Sequence, residues 1–114
     1  MSSLLTQLFG TAALLSEEDA AAFAAAHQLG RAPEERYVDS LQPERQVTQW
    51  IGGNFVCWEE FWLKETQTKA IKLIAPEARW LTQSEAAHLI CASRSQGQLE
   101  MLSPAHQERS TAVA

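Results

Sequence analysis

The sequence predicts a small α+β domain. Two helix starts with complete local capping signals predict the helical part, and strand-like segments joined by Gly-Gly-Asn predict the sheet. The chain has 114 residues, of which 46% are hydrophobic and 20% charged, and this is the size and composition of one globular domain. We expect a single domain over residues 1–102 and a disordered, polar C-terminal tail over 103–114.

The clearest helix start lies at Ser16, which is followed by Glu, Glu and Asp. A serine at this position accepts a hydrogen bond from an unpaired backbone N–H, and carboxylates in the first turn are favoured by the helix dipole. An alanine-rich stretch follows, and Gly30 is a typical helix stop. The pattern predicts a helix over 17–29.

Two further helices are predicted. Thr82 and Glu85 form a capping box, which predicts a helix over 83–95 that ends before Gly97. Near the start of the chain, leucine and phenylalanine side chains recur at helical spacing and predict a short helix over 3–9. This first helix is interpreted as packing on the core, with docking to a partner as the alternative.

The strands are predicted on either side of the turn signal Gly52-Gly53-Asn54. Apolar side chains occupy both faces of the segment after the turn, which indicates a central strand. A helix capped by Asn54 is the open alternative, because Phe55, Trp58 and Trp62 also recur at helical spacing, and a helical 54–72 would make the protein mostly α. The predicted antiparallel sheet has three strands, near 46–51, 55–63 and 69–75, or four if 98–102 is also a strand. Tyr37-Val38 is a further candidate for a short strand.

Charge and composition exclude several classes of function. The net charge is −5 and the basic residues are dispersed, so nucleic acid and anionic membrane surfaces are not expected partners. No apolar run approaches the roughly 20 residues of a membrane span, and the first fifteen residues lack the basic start of a secretory signal. Two cysteines are too few for a disulfide scaffold. A cytoplasmic location with reduced thiols is therefore expected, and any charged partner is expected to be basic.

The cysteines and histidines are the candidates for metal binding and thiol chemistry. His88 and Cys91 lie three residues apart on a predicted helix, and Cys57 or His27 would have to complete a tetrahedral site. Paired C-x-x-C motifs are absent from the sequence, and neither cysteine has the local signature of a catalytic nucleophile. We predict no metal, no cofactor and no cysteine catalysis.

Glu59 and Glu60 form a carboxylate pair inside an apolar run, a setting that suits general acid chemistry. Neighbours in a strand point to opposite faces, so the two cannot act together as a dyad. One of the two could still titrate in a pocket lined by tryptophan. A small-molecule-binding protein or a small enzyme of this kind is therefore an alternative to a protein-binding function.

The chain has four tryptophans, and three of them lie within residues 50–62. Such side chains fill cores, and they are also enriched at protein interfaces and in pocket walls. With no catalytic motif in the sequence, we predict a non-catalytic protein-binding module, such as an adaptor, inhibitor or chaperone-like protein. A homodimer or another homo-oligomeric structural subunit is the further alternative. The predicted partner-binding residues are Trp50, Phe55, Trp58, Glu59, Glu60 and Trp62.

Overall fold

A computed structural model shows the predicted α+β domain: an antiparallel four-stranded sheet packed with helices. It describes residues 4–10 and 14–101, so the predicted tail over 103–114 lies outside the described residues. The strands run in the order in which they follow along the chain. The elements are α1 (Leu4–Phe9), α2 (Glu17–Ala26), a 3-10 helix (Glu35–Ser40), β1 (Arg45–Ile51), β2 (Asn54–Leu63), β3 (Thr68–Ala75), β4 (Arg79–Trp80) and α3 (Gln83–Met101).

The Gly-Gly-Asn signal forms the predicted hairpin between β1 and β2. Ile51 is paired with Asn54, so the turn contains only Gly52 and Gly53, with φ of 59° and 84°. Positive φ at both central residues is the geometry of a type I′ turn, which matches the twist of the flanking strands. The Asn54 side chain then donates to the Leu8 carbonyl at 3.2 Å, which fixes the hairpin against the end of α1.

The segment after the turn is a strand, so the mostly-α alternative over 54–72 is wrong. β2 pairs with β1 on one side and with β3 on the other. Trp58, for example, lies between Val47 and Leu73. Because side chains alternate between the two faces of a strand, the helix-like spacing of Phe55, Trp58 and Trp62 does not place them on one face.

The fourth strand is β4, and the predicted strand at 98–102 is wrong. Residues 98–101 belong to α3, which continues through Gly97, and residue 102 lies outside the described part of the chain. A glycine inside a helix costs only about 1 kcal/mol relative to alanine, so it does not end a helix by itself. β4 has only two residues, which is too short for a pattern of alternating side chains to show.

The helix α2 ends at Ala26, three residues before the predicted end at 29. Gln28 adopts φ of 57°, which turns the chain out of the helix before Gly30 is reached. The backbone N–H of Lys69 then donates to Gln28 O at 2.7 Å, and the N–H of Gly30 donates to Lys69 O at 2.9 Å. Gln28 and Leu29, which were predicted to be helical, therefore lie along the edge of β3 instead.

The predicted short strand at Tyr37-Val38 is also wrong, because these residues lie in the 3-10 helix. The segment has no neighbouring strand among the described residues. The backbone N–H of Tyr37 donates to Glu34 O at 2.9 Å, and the Ser40 hydroxyl donates to Tyr37 O at 2.8 Å. These local bonds satisfy the backbone in place of a sheet.

Both predicted capping signals are confirmed by their hydrogen bonds. Ser16 Oγ accepts the N–H of Asp19 at 3.0 Å. At the start of α3, Thr82 Oγ1 accepts the N–H of Glu85 at 3.1 Å, while a Glu85 carboxylate oxygen accepts the N–H of Thr82 at 2.9 Å. Leu81, just before the box, is buried. Local chemistry alone therefore positions the starts of both long helices.

The helices pack on one face of the sheet, and the core lies between them. No helix in the described ranges is long and apolar enough to span a membrane. The small side chains of α2 and α3 bring these helices close to the larger sheet residues. The most buried members are Ala24 from α2, Ala86, Ala87 and Leu89 from α3, and Val56, Trp58, Ile71 and Leu73 from the sheet.

Candidate functional site

The sheet has a helix-covered face and a second face, here called the outer face. Gln49 and Asn54 point to the helices, since they donate to Ser93 O and to Leu8 O respectively. Because side chains alternate along a strand, the neighbouring residues point to the outer face. The outer-face residues are Gln46, Thr48 and Trp50 from β1, Phe55, Cys57, Glu59 and Phe61 from β2, Ala70 and Lys72 from β3, and Trp80 from β4.

The most exposed large apolar side chains in the described residues are Trp50 and Phe55, 63% and 52% exposed. They are opposite each other in the register of β1 and β2, and their rings meet edge to face with centroids 5.5 Å apart. The glycine turn holds both side chains at the end of the hairpin. The structure therefore presents a pre-formed aromatic pair, here called the Trp50–Phe55 pair, at the surface.

Two of the predicted partner-binding residues are buried on the opposite face. Trp58 is 1% exposed and Glu60 is 3% exposed. The indole Nε1 of Trp58 donates to Glu60 Oε2 at 3.0 Å, and Lys69 Nζ lies 3.2 Å from Glu60 Oε1. Arg45 approaches the same oxygen at 3.8 Å. The geometry gives this carboxylate a structural role, and neither side chain belongs to the exposed surface.

The remaining predicted residues, Glu59 and Trp62, are half-buried and lie on different faces. Glu59 is on the outer face, between Gln46 and Lys72 in the two neighbouring strands. Trp62 is on the helix-covered face and pairs with Lys69. The predicted set is therefore divided by strand alternation, and only Trp50, Phe55 and Glu59 share the outer face.

A second aromatic contact lies on the outer face, farther from the hairpin turn. Phe61 and Trp80 have ring centroids 4.9 Å apart, and Lys72 Nζ lies 5.8 Å from the Trp80 ring centroid. Phe61 is buried and Trp80 is half-buried. These two rings pack against each other at the end of the outer face farther from the turn. The exposed apolar surface of this face is therefore concentrated at the Trp50–Phe55 pair.

A groove of about 690 Å³ lies between the connector that carries the 3-10 helix and the β2–β3 turn. Leu41 and Leu63 supply apolar walls, while Arg31 and Glu65 are among its charged residues. Arg36 and Glu34 also line the groove, and they form an ion pair with each other, with Nε 3.0 Å from Oε1. The lining of this groove contains neither a tryptophan nor Glu59 or Glu60, so it differs from the Trp-lined pocket of the alternative function.

His88 and Cys91 do not form part of a metal cluster. His88 Nδ1 lies 2.7 Å from Ser84 O, and its Nε2 lies 3.2 Å from Leu15 O, so both ring nitrogens face backbone carbonyls. No three His, Cys, Asp or Glu side chains come together as a metal site anywhere in residues 4–10 and 14–95. Cys57 is half-buried on the outer face, where the Thr48 hydroxyl donates to its sulfur at 3.4 Å.

No family model, curated protein or solved structure matches this chain. Sequence reasoning missed two features of the outer face: the closing Trp80, and Thr48 at the middle of the free strand. The only available signal for Thr48 was its alternation with Gln46 and Trp50 before the glycine turn. For Trp80, nothing in the sequence indicated a strand of two residues.

Proposed function

We propose that this protein is a non-catalytic protein-binding module whose contact surface is the outer face of the sheet around the Trp50–Phe55 pair. The observation that carries the proposal is the exposure of two large aromatic side chains side by side on a hairpin. Isolated exposed apolar residues are ordinary, but paired aromatic rings with a polar rim are typical of interface centres. Trp in particular is enriched among the residues that dominate binding energy.

The rim of this surface supports the same function. Thr48 follows Trp50 along the outer face of β1 and Gln46 follows Thr48, both with uncharged polar groups, and Glu59 adds a carboxylate on the same face. Protein interfaces commonly have an apolar centre surrounded by polar residues that remain accessible to solvent. The net charge of −5 favours a partner whose contact surface is basic.

The experiment is affinity capture with the tagged chain, comparing the parent with Trp50→Ala and with Tyr37→Ala. Tyr37 is a matched control, because it is an exposed aromatic residue that lines the groove beside the connector, and neither Trp50 nor Phe55 lines that groove. Loss of the same captured protein with Trp50→Ala and its retention with Tyr37→Ala would support the proposal. Equal capture by all three proteins would contradict it, and thermal unfolding of each variant confirms that it is folded.

The groove beside the connector favours a second candidate function, the binding of a small molecule. Its volume falls in the range of about 300–1,000 Å³ that is common for ligand pockets, and it combines apolar walls with charged groups. An apolar ligand with a polar end fits this lining. NMR titration with a fragment library tests it: saturable shifts of the Leu41 and Leu63 methyl groups support this function, and shifts confined to other surfaces oppose it.

A further inference from the structure

The two edges of the sheet are protected very differently. One edge is formed by β4, which has only two residues, and beside it Gln28 and Gly30 form hydrogen bonds with the backbone of Lys69 in β3. The other edge is formed by β1, which has seven residues. In the described part of the chain β1 pairs only with β2, so its second edge carries no strand. Long free edges are usually guarded by charges, proline or bulges, because they template pairing with other chains. Residues 46–51 contain neither a charge nor a proline.

The hairpin geometry decides which backbone groups of β1 face outward. A two-residue hairpin turn of this type is closed by a hydrogen bond between its flanking residues, so Ile51 and Asn54 form a hydrogen-bonded pair of the ladder. Hydrogen-bonded pairs alternate along an antiparallel ladder, so Val47 and Gln49 direct their backbone groups to β2. The N–H and C=O groups of Gln46, Thr48 and Trp50 therefore point to the free edge.

We propose that this edge pairs with β1 of a second copy of the chain, antiparallel and across a twofold axis perpendicular to the sheet. The register that uses the whole strand is centred on its middle residue, Thr48. It places Thr48 opposite the second copy's Thr48, and Gln46 opposite the second copy's Trp50. The pairing joins two four-stranded sheets into one continuous sheet and places both Trp50–Phe55 pairs on the same outer face.

At the β1 edge a second copy meets little charge repulsion, and the side chains of this edge complement one another. Each copy carries a net charge of −5, so contact through most of the surface brings like charges together. The β1 edge is uncharged from Gln46 to Ile51, and the proposed register pairs Thr with Thr and Gln with Trp. Threonine pairs across strands form favourable hydrogen bonds, and a long polar side chain covers an exposed indole. The edge is therefore self-complementary.

Size predicts a dimer that dissociates on dilution. Stable interfaces bury roughly 1,200–2,000 Å² in total, and one pair of short strands covers less than this. The indole of Trp50, 63% exposed in the single chain, adds apolar area on each side when the second copy's Gln46 covers it. Trp50 lies both on the proposed protein-binding face and on the β1 edge. The contribution of its side chain to the dimer therefore rests on the proposed function.

Site-specific cross-linking tests the register. Thr48→Cys is made in a Cys57→Ser, Cys91→Ser background, since Cys57 lies opposite Thr48 in the same chain. The proposed register places the two introduced thiols on adjacent strands, about 5 Å apart, within reach of a short bifunctional thiol reagent. Gln46→Cys in the same background is the matched control, because its two copies are about 13 Å apart along the strand. Cross-linked dimer from Thr48→Cys alone supports the register, and equal or no cross-linking in both overturns it.

Sedimentation of the parent protein tests the dimer itself. We expect a concentration-dependent shift toward twice the 12.7 kDa chain mass. Thr48→Lys places two ammonium groups directly opposite each other and should weaken association about tenfold or more. Thr66→Lys adds the same charge at the exposed β2–β3 turn and should leave association unchanged. A parent that stays monomeric, or a Thr48→Lys variant that associates like the parent, overturns the inference.

The two proposals fail in different ways. If the parent is monomeric but still captures another protein through Trp50, the strand pairing is wrong and the binding function stands. If Thr48→Cys cross-links as expected while Trp50→Ala changes neither capture nor sedimentation, the strand pairing stands and the aromatic surface is not the binding determinant. The cross-link depends on the backbone register, whereas capture depends on the Trp50 side chain.

Discussion

The indole N–H of Trp58 donates to the carboxylate of Glu60 at 3.0 Å, and both side chains are buried on the helix-covered face of β2. The two residues are neighbours on this face because they are two positions apart in a strand. A buried carboxylate is tolerated only when its oxygens are bonded, and here Trp58 serves one oxygen while Lys69 serves the other. This relationship places Trp58, in the middle of the most tryptophan-rich part of the sequence, in the core.

Replacing Glu60 with glutamine should destabilise the protein, and replacing its neighbour Glu59 should not. Glu60→Gln keeps the shape but removes the charge that holds Lys69, and a lost bond to a charged buried group costs about 1–3 kcal/mol. Glu59→Gln, on the half-exposed outer face, should change the free energy of unfolding by less than about 0.5 kcal/mol. Urea unfolding measures both, and equal losses would contradict the burial difference between the two glutamates.

Trp58 and Trp50 should respond in opposite ways to truncation. Trp58→Ala removes a fully buried ring and its bond to Glu60, and large-to-small changes of this kind cost about 3–5 kcal/mol of unfolding free energy. Trp50→Ala removes a ring that is mostly exposed and should cost less than about 1 kcal/mol. Circular dichroism during urea unfolding provides the measurement. If Trp50→Ala proves as destabilising as Trp58→Ala, the outer face is not free in solution.

The local parts of this fold could be predicted from the sequence, because their causes are local. The Ser16 and Thr82 caps and the Gly52-Gly53 turn are each determined by side chains within a few residues, and all three are present as expected. β4 and the strand-like pairing of Leu29 with Lys69 could not be predicted in this way. Leu29 pairs with a residue of β3 that lies about 40 positions later in the chain. β4 follows β3 closely, but its two residues are too few to show an alternating pattern.

The candidate site was predictable only in part for a similar reason. Alternation correctly separates Phe55 from Trp58 onto two faces of one strand, but it does not say which face the helices cover. That choice depends on the small side chains of α2 and α3, which share one buried cluster with Val56 and Trp58. With both faces apolar, the sequence offered no sign that Trp58 is buried and that Trp50, at the end of the hairpin, is exposed.

The capping box should contribute measurably to stability through one side chain. Thr82→Ala removes the oxygen that accepts the Glu85 N–H at 3.1 Å, and the loss of such a cap costs about 0.5–2 kcal/mol. Ser84→Ala is the control, because Ser84 is an exposed hydroxyl residue in the same turn whose backbone carbonyl, rather than its side chain, contacts His88. A thermal unfolding midpoint that falls for Thr82→Ala and stays within error for Ser84→Ala is expected. A larger effect at Ser84 would show that the cap is not formed.

The two turn glycines should differ in cost even though both adopt positive φ. Gly53→Ala places a methyl group in open space, so only the left-handed backbone opposes it, at about 1–2 kcal/mol. Gly52→Ala meets the same backbone penalty, and its methyl group would also fall on the carbonyl oxygen of Leu8, at the end of α1.

Because that carbonyl also accepts the Asn54 side chain, the hairpin and α1 must separate for the Gly52→Ala methyl group to fit. We therefore expect the unfolding free energy to fall more for Gly52→Ala than for Gly53→Ala, as measured in urea. Hydrogen exchange distinguishes the causes: the Gly10 amide, bonded to Thr6 O at 2.9 Å, should exchange faster only in Gly52→Ala. Equal stability losses and unchanged exchange in both variants would mean that the hairpin does not contact α1 in solution.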